Sequence, residues 1–151
     1  MHTLRYIVRD VATTAPGIDV ATACKLMRSH HIGFLVVTDR RDGKQYPVGV
    51  LTDRDVVMKA VARDIDPHSL KVSDIMTAQP LLATADEDLE DLMARMRESG
   101  VRRVPVVDDT GALVGIVSFD DVLQTLARML DNMASSVVSQ RIAEMGTQPA
   151  V

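Results

Sequence analysis

The sequence has no tryptophan and only two tyrosines and two phenylalanines, so aromatics make up 3% of its 151 residues. An interior without large rings has to be filled by aliphatic side chains and by the nine methionines, whose flexible thioethers fit irregular gaps. Cys24 is the single cysteine, which excludes an intrachain disulfide and a thiolate-based metal site. Nowhere do ~18 apolar residues follow one another, and Met1 to Asp10 carry Arg5 and Arg9 without a signal-like apolar run. A cytoplasmic protein with no membrane contact is expected. No Lys/Arg run forms a basic arm and the net charge is −4, so nucleic acid is not an expected partner. A Ser/His/Asp set, a P-loop, a Gly-x-Gly-x-x-Gly string and a His-Glu-x-x-His string are all missing, and no catalytic role is expected. What remains is ordinary for a globular chain, with 46% hydrophobic and 25% charged residues.

The chain is organised around a doubled string. Gly49-Val50-Leu51-Thr52-Asp53-Arg54-Asp55 returns downstream as Gly115-Ile116-Val117-Ser118-Phe119-Asp120-Asp121. In each, β-favouring residues run into a hydroxyl, and a carboxylate three positions later precedes an apolar helical pattern. That order reads as strand, N-cap, helix. The repeat extends upstream: Asp19-Val20, Met27-Arg28, Ile32, Leu35, Val37 and Asp39 match Asp88-Leu89, Met96-Arg97, Val101, Val104, Val106 and Asp108, all at the spacing of Asp19 to Asp88. From Gly49 to Gly115 the spacing is three shorter, which places a three-residue insertion of the first copy in the polar stretch Arg40 to Gln45, read as a turn.

Each copy predicts the same elements. An extended lead, Val11 to Thr14 or Leu81 to Thr84, ends at Pro16-Gly17 or at Asp86-Glu87-Asp88, either of which suits a helix start. Val20, Ala23, Cys24 and Met27 then recur at i, i+3, i+4 and i+7, as do Leu89, Leu92, Met93 and Met96. Cys24 on that stripe reads as a packed thiol rather than a nucleophile. His30-His31, at the helix end with no carboxylate or thiolate at ligand spacing, reads as structural or solvent-facing. A strand at Phe34 to Thr38 or Val104 to Val107 turns at Asp42-Gly43 or Thr110-Gly111 and returns at Val48 to Leu51 or Leu113 to Val117. Pro105 is expected at a strand start or edge. A last helix carries Val56, Val57, Ala60 and Val61, or Val122, Leu126, Met129 and Met133. The fold class is thus α/β (α+β): β-α-β-β-α twice, two halves too small to stand alone and packed about a quasi-twofold axis. The boundaries read as 1–64, a linker at 65–71, 72–133, and at 134–151 a helical extension through Val137, Ile142 and Met145 with a tail from Gly146.

This doubled pattern resembles a pair of cystathionine-β-synthase (CBS) motifs, the tandem unit called a Bateman module, in its stand-alone form. The resemblance rests on Asp74-Ile75-Met76-Thr77, on Val101-Arg102-Arg103-Val104-Pro105-Val106-Val107-Asp108 and on the two Gly-x-x-[Thr/Ser]-x-x-Asp strings. The first copy departs from it at its opening, where Arg5-Tyr6-Ile7-Val8 stands in place of the acidic-Ile-Met-Thr string.

The resemblance implies two related sites for adenosine-containing ligands: AMP, ADP, ATP, S-adenosylmethionine or a nicotinamide dinucleotide (NAD). It implies a regulatory ligand rather than a required cofactor. Thr52 or Ser118 would meet a phosphate, Asp55 or Asp121 would accept bonds from the ribose hydroxyls, and the strands at Phe34-Leu35 and Val104-Pro105 would line the adenine pocket. Because both copies keep both residues, two occupied sites are favoured. Arg54, Arg102, Arg103 and Lys25 are candidate phosphate cations; on an extended segment Arg102 and Arg103 point to opposite faces, so one of them is expected at a given site. The same hydroxyl and carboxylate also fit a plain capping box. Two functions follow: a non-enzymatic homodimeric sensor that signals to an unidentified protein partner, or a ligand-free adaptor that dimerises through helical faces including Met129, Met133 and Val137.

Overall fold

Asp19 and Asp88 each cap a helix of 11 residues, α1 (Val20–His30) and α4 (Leu89–Ser99). The Asp19 carboxylate accepts the Thr22 N–H at 2.8 Å, and that of Asp88 accepts the Glu90 N–H at 2.9 Å. Both helices end on a left-handed residue, His31 (φ 53°) and Gly100 (φ 64°), as a helix C-cap requires. In this computed structural model, which describes residues 3–146, the buried faces are Val20, Ala23 and Met27 in α1 and Leu89, Leu92 and Met96 in α4. Cys24 is half-buried beside the first core, and burial pushes its thiol pKa up, which suits a packed thiol.

The strands form two sheets. In the first, β1 (Thr13–Thr14) runs parallel to β2 (Phe34–Arg41), which pairs antiparallel with β3 (Lys44–Thr52). In the second, β5 (Ala83–Thr84), β6 (Arg103–Val107) and β7 (Leu113–Ser118) repeat that order. The three-residue insertion is not confined to a turn. It lengthens both strands of the β2–β3 hairpin around a two-residue turn, Asp42-Gly43, whose positive φ values (50° and 77°) match the twist of the strands. The added length carries Lys44 across to the second unit, 3.4 Å from Asp108 and 3.2 Å from the Thr110 hydroxyl.

Pro105 also departs from expectation, because it sits inside β6, the central strand. Its first-copy counterpart, Val36, donates its N–H to Ala12 O at 3.1 Å. Proline has no such donor, and β5 accordingly starts to pair only at Val106. On the other side Pro105 faces Ile116, whose backbone N–H and C=O are both bonded to Val8, so no donor is missed there.

That Ile116–Val8 pair is half of an exchange. Val8 belongs to the opening of the first copy yet bonds at 2.9 Å in both directions to β7 of the second. Reciprocally, β4 (Thr77–Ala78), from the opening of the second copy, adds to β3 of the first. The cores are exchanged with the strands: Tyr6 packs with Leu92, Met96 and Val104, while Val72 and Ile75 of the short helix α3 (Val72–Ile75) pack with Val20, Leu35 and Leu51. Each such side chain contributes roughly 1.5–3 kcal/mol of burial across the two halves. Glycine is needed where the exchanged segments cross. A Cβ at Gly49 would lie 2.5 Å from Met76 Sδ, and one at Gly115 would lie 2.8 Å from Val8 O and overlap Ile7 Cγ2.

The stretch between the copies packs against α1. Val20 N–H donates to Leu70 O at 2.9 Å and Ala21 N–H to Pro67 O at 3.2 Å, which ties it to the first unit. The closing helices differ sharply. α2 (Asp53–Lys59) ends at Ala60 and gives way to a 3-10 turn at Val61–Arg63; Val56 and Ala60 are buried, but Val57 and Val61 are exposed. α5 (Phe119–Gly146) runs for 28 residues, taking in the expected extension through Val137. The tail at 147–151 lies outside the described residues. Met27 and Met96 fill core, whereas Met58, Met129 and Met133 are exposed, so core filling explains only part of the methionine content. Among the described residues no helix is long and apolar enough to cross a membrane.

Candidate functional site

Both doubled strings fold as their spacing requires, with the strand delivering a hydroxyl to the helix start. In the first, the Thr52 hydroxyl accepts the Asp55 N–H at 3.1 Å, while Asp55 Oδ2 accepts the Thr52 N–H at 3.0 Å and the Thr52 O–H at 2.7 Å. This is a complete capping box. Lys59, one turn on, places Nζ 2.8 Å from Asp55 Oδ1. Burial by itself would push the Asp55 carboxyl up, but the bonds from Lys59 and Thr52 together hold it below its ordinary value.

In the second string, Ser118 Oγ accepts the Asp121 N–H at 3.1 Å and donates to Asp121 Oδ2 at 2.5 Å. The residue one turn on is Thr125, whose hydroxyl donates to Asp121 O at 2.9 Å. Among the described residues no cation is paired with the Asp121 carboxylate, and Asp121 lines a cleft.

That cleft, of about 680 Å³, is built from both units. Ser118, Asp120, Asp121 and Arg103 come from the second; Val11, Ala12 and Thr13, with Ile32, Gly33 and Phe34, come from the first. Arg103 lies over the Phe34 ring at 5.8 Å from its centroid, and also 3.9 Å from Asp120. Arg102 bonds Asp120 at 2.6 Å from outside the cleft, so of the two adjacent arginines only Arg103 lines it.

The remaining expected residues are distributed unevenly. Phe34 lines the cleft, whereas the side chains of Leu35 and Val104 lie in the two cores and Pro105 is fully buried. Thr52, Asp55 and Arg54 do not line it; they gather at the counterpart position on the other side of the pseudo-axis, where Arg54 is exposed. His30 and His31 line the cleft but form no metal cluster, and none occurs among the described residues. Asp10 and Asp120 also line the cleft without a sign in the repeat, since Asp120 matches Arg54 rather than a second aspartate.

Two α/β units that exchange their leading strands and flank a cleft with a hydroxyl, a carboxylate and a helix start define a tandem α/β pair. The chain belongs to the CBS-domain family, whose profile matches residues 5–61 and 72–128. It is 39% identical over 118 residues to the uncharacterized protein MK0525 of Methanopyrus kandleri, covering 77% of this chain and 58% of that protein. It is 33% identical over 113 residues to the CBS domain-containing protein YhcV of Bacillus subtilis, covering 75% of this chain and 76% of that one. Among solved structures it is similar to the CBS domain pair of protein MJ0100, with a TM-score of 0.72 and 26% identity over 85% of this chain and 98% of that one. That pair was solved in complex with methylthioadenosine and S-adenosylmethionine.

Proposed function

We propose that this chain is a non-enzymatic sensor that binds an adenosine-containing ligand in the Ser118–Asp121 cleft and passes the bound state to a partner. The observation that carries this reading is the Asp121 carboxylate, which lines a cleft between the two units and is paired with no cation among the described residues. Two ribose hydroxyls suit its two oxygens. Ser118 and the first turn of α5 suit a phosphate or another electronegative 5′ substituent, with Arg103 as the nearest cation. Ile32, Gly33 and Phe34 on one side and Val11 to Thr13 on the other offer a wall for an adenine ring. The ligand pair held by the similar MJ0100 module supports the class. AMP, ADP, ATP, NAD and S-adenosylmethionine are the candidates. Because the cleft takes residues from both units, a ligand shifts their relative arrangement by its differential affinity for the two states.

Thermal unfolding with each candidate, and with guanosine nucleotides as controls, tests this reading. At about 100 times the dissociation constant, binding adds about 2.7 kcal/mol of stability. A rise in Tm with an adenosine compound alone supports the sensor, and no rise with any of them, for protein freed of co-purified nucleotide, overturns it.

A second reading, as a dimerising adaptor, is favoured by α5. Phe119, Leu123, Leu126, Leu130, Met133 and Val137 fall at alternating four- and three-residue spacings, and all are exposed. A seam of that period fits a second copy of the same helix, so a homodimer is the expected assembly. Sedimentation at micromolar concentration checks it: Leu130→Asp should convert a dimer to a monomer, and a monomeric parent protein would remove the idea.

A further inference from the structure

The pseudo-symmetry that builds the open cleft also specifies a counterpart, beside Thr52 and Asp55, and it assigns to that position two cations that have no match in the open cleft. The first is Arg95, which matches Leu26, an apolar residue lining the open cleft. Arg95 Nη2 donates to the carbonyl of Leu82 at 2.9 Å, and Nη1 pairs with Glu87, whose side chain is only 15% exposed. Leu82 matches Thr13, another residue lining the open cleft. The guanidinium is therefore fixed at both ends along the wall that an adenine-type ring would need. The second is Lys59, in the place of Thr125, bonded to Asp55 Oδ1 at 2.8 Å and to Ile75 O at 2.7 Å. A ligand entering here has to displace a carboxylate-bound guanidinium with its ring and an ammonium with its ribose. In the Ser118–Asp121 cleft Leu26 and Thr125 stand in their places, and the guanidinium that lines it, Arg103, lies over the Phe34 ring and 3.9 Å from Asp120 without pairing with Asp121.

We propose that the chain binds one adenosine-type ligand per protomer, in the Ser118–Asp121 cleft, and that Arg95, assisted by Lys59, closes the counterpart. This inference rests on the ligand class proposed above. Where the repeat alone favours two occupied sites, the side chains one helical turn from each motif assign one.

Calorimetric titration of the purified chain tests it, with AMP as the probe, or with S-adenosylmethionine if AMP leaves Tm unchanged. The parent protein should take up one equivalent, and Asp121→Asn should take up none measurable. Arg95→Leu combined with Lys59→Thr, which installs the residues found at the matching positions, Leu26 and Thr125, should raise the stoichiometry to two, and adding Asp121→Asn to that variant should leave one. Two equivalents in the parent protein would overturn the closure while leaving the sensor reading intact. So would binding that persists in Asp121→Asn with Arg95 in place and is lost when Asp55→Asn is added, a result that does not depend on the opened variant folding. A folded opened variant that still takes one equivalent would do the same. No uptake of AMP, ADP, ATP, NAD or S-adenosylmethionine by the parent protein would overturn both readings together.

Discussion

One turn after Asp55 stands a lysine that bonds its carboxylate, and one turn after Asp121 stands a threonine whose hydroxyl turns back to the main chain. The strands and cap hydroxyls leading to the two aspartates are otherwise alike, except that only Asp55 also accepts the N–H of its cap residue. A similar contrast separates Leu26 from Arg95. Duplication therefore preserved the backbone device, a strand feeding a capped helix, while single side chains at the adjoining turns set what each carboxylate can still do. A carboxylate already bonded to an ammonium has less to offer a ligand than one bonded only to its own cap.

The comparison can be broken hardest in the cores. Leu35→Ala and Leu92→Ala remove fully buried side chains of equal size from the first and second units, and each should cost about 3 kcal/mol. Because Tyr6, Val72 and Ile75 cross between the cores, both variants should unfold in one urea transition; a separate transition for either half would refute the coupling. The crossing points should respond less equally. Gly115→Ala drives a Cβ into the Val8 backbone and should cost about 2 kcal/mol, while Gly49→Ala meets mainly the flexible Met76 side chain and should cost about 1 kcal/mol. Equal losses in chemical denaturation would mean that both segments adjust alike.

At the sites the expected effects are smaller in stability and larger in binding. Asp121→Asn should weaken the adenosine ligand about a hundredfold or more, below calorimetric detection, as loss of two charge-assisted hydrogen bonds at about 1.5–3 kcal/mol each does. An unchanged affinity would remove Asp121 from the ribose role. The smallest effect concerns Asp108, at the contact between the long hairpin and the second unit. Bonds from the Thr110 hydroxyl, then from the Ala112 and Thr110 N–H groups and Lys44, hold its carboxyl down to about 2. A depressed folded pKa stabilises the protein above the ordinary value of 3.8 and stops doing so as pH falls through about 2. Asp108→Asn should therefore flatten the acid limb of stability between those values, slightly, since the group is exposed. An identical limb in both proteins would show that the contact opens before Asp108 titrates.

Much of this was legible because it depends on residues near in sequence. The helix stripes, the Asp19 and Asp88 caps, the Asp42-Gly43 turn and the two capping strings each obey a local period or spacing, and their repetition revealed the doubled unit. Pro105 misled because its missing donor is harmless only opposite a two-residue β5 and a β7 residue already bonded to Val8. The insertion at Arg40 to Gln45 misled because polar residues also suit the exposed end of a long hairpin. Alone, then, the sequence determined the elements, their order, their doubling and the family. The tertiary structure decided that Tyr6-Ile7-Val8 and Val72 to Thr77 change partners, that one aspartate lines a cleft and that Lys59 pairs with the other while Arg95 is held by Glu87 and Leu82. Those outcomes depend on contacts between residues far apart in the chain, and no local spacing encodes which distant side chain will arrive there.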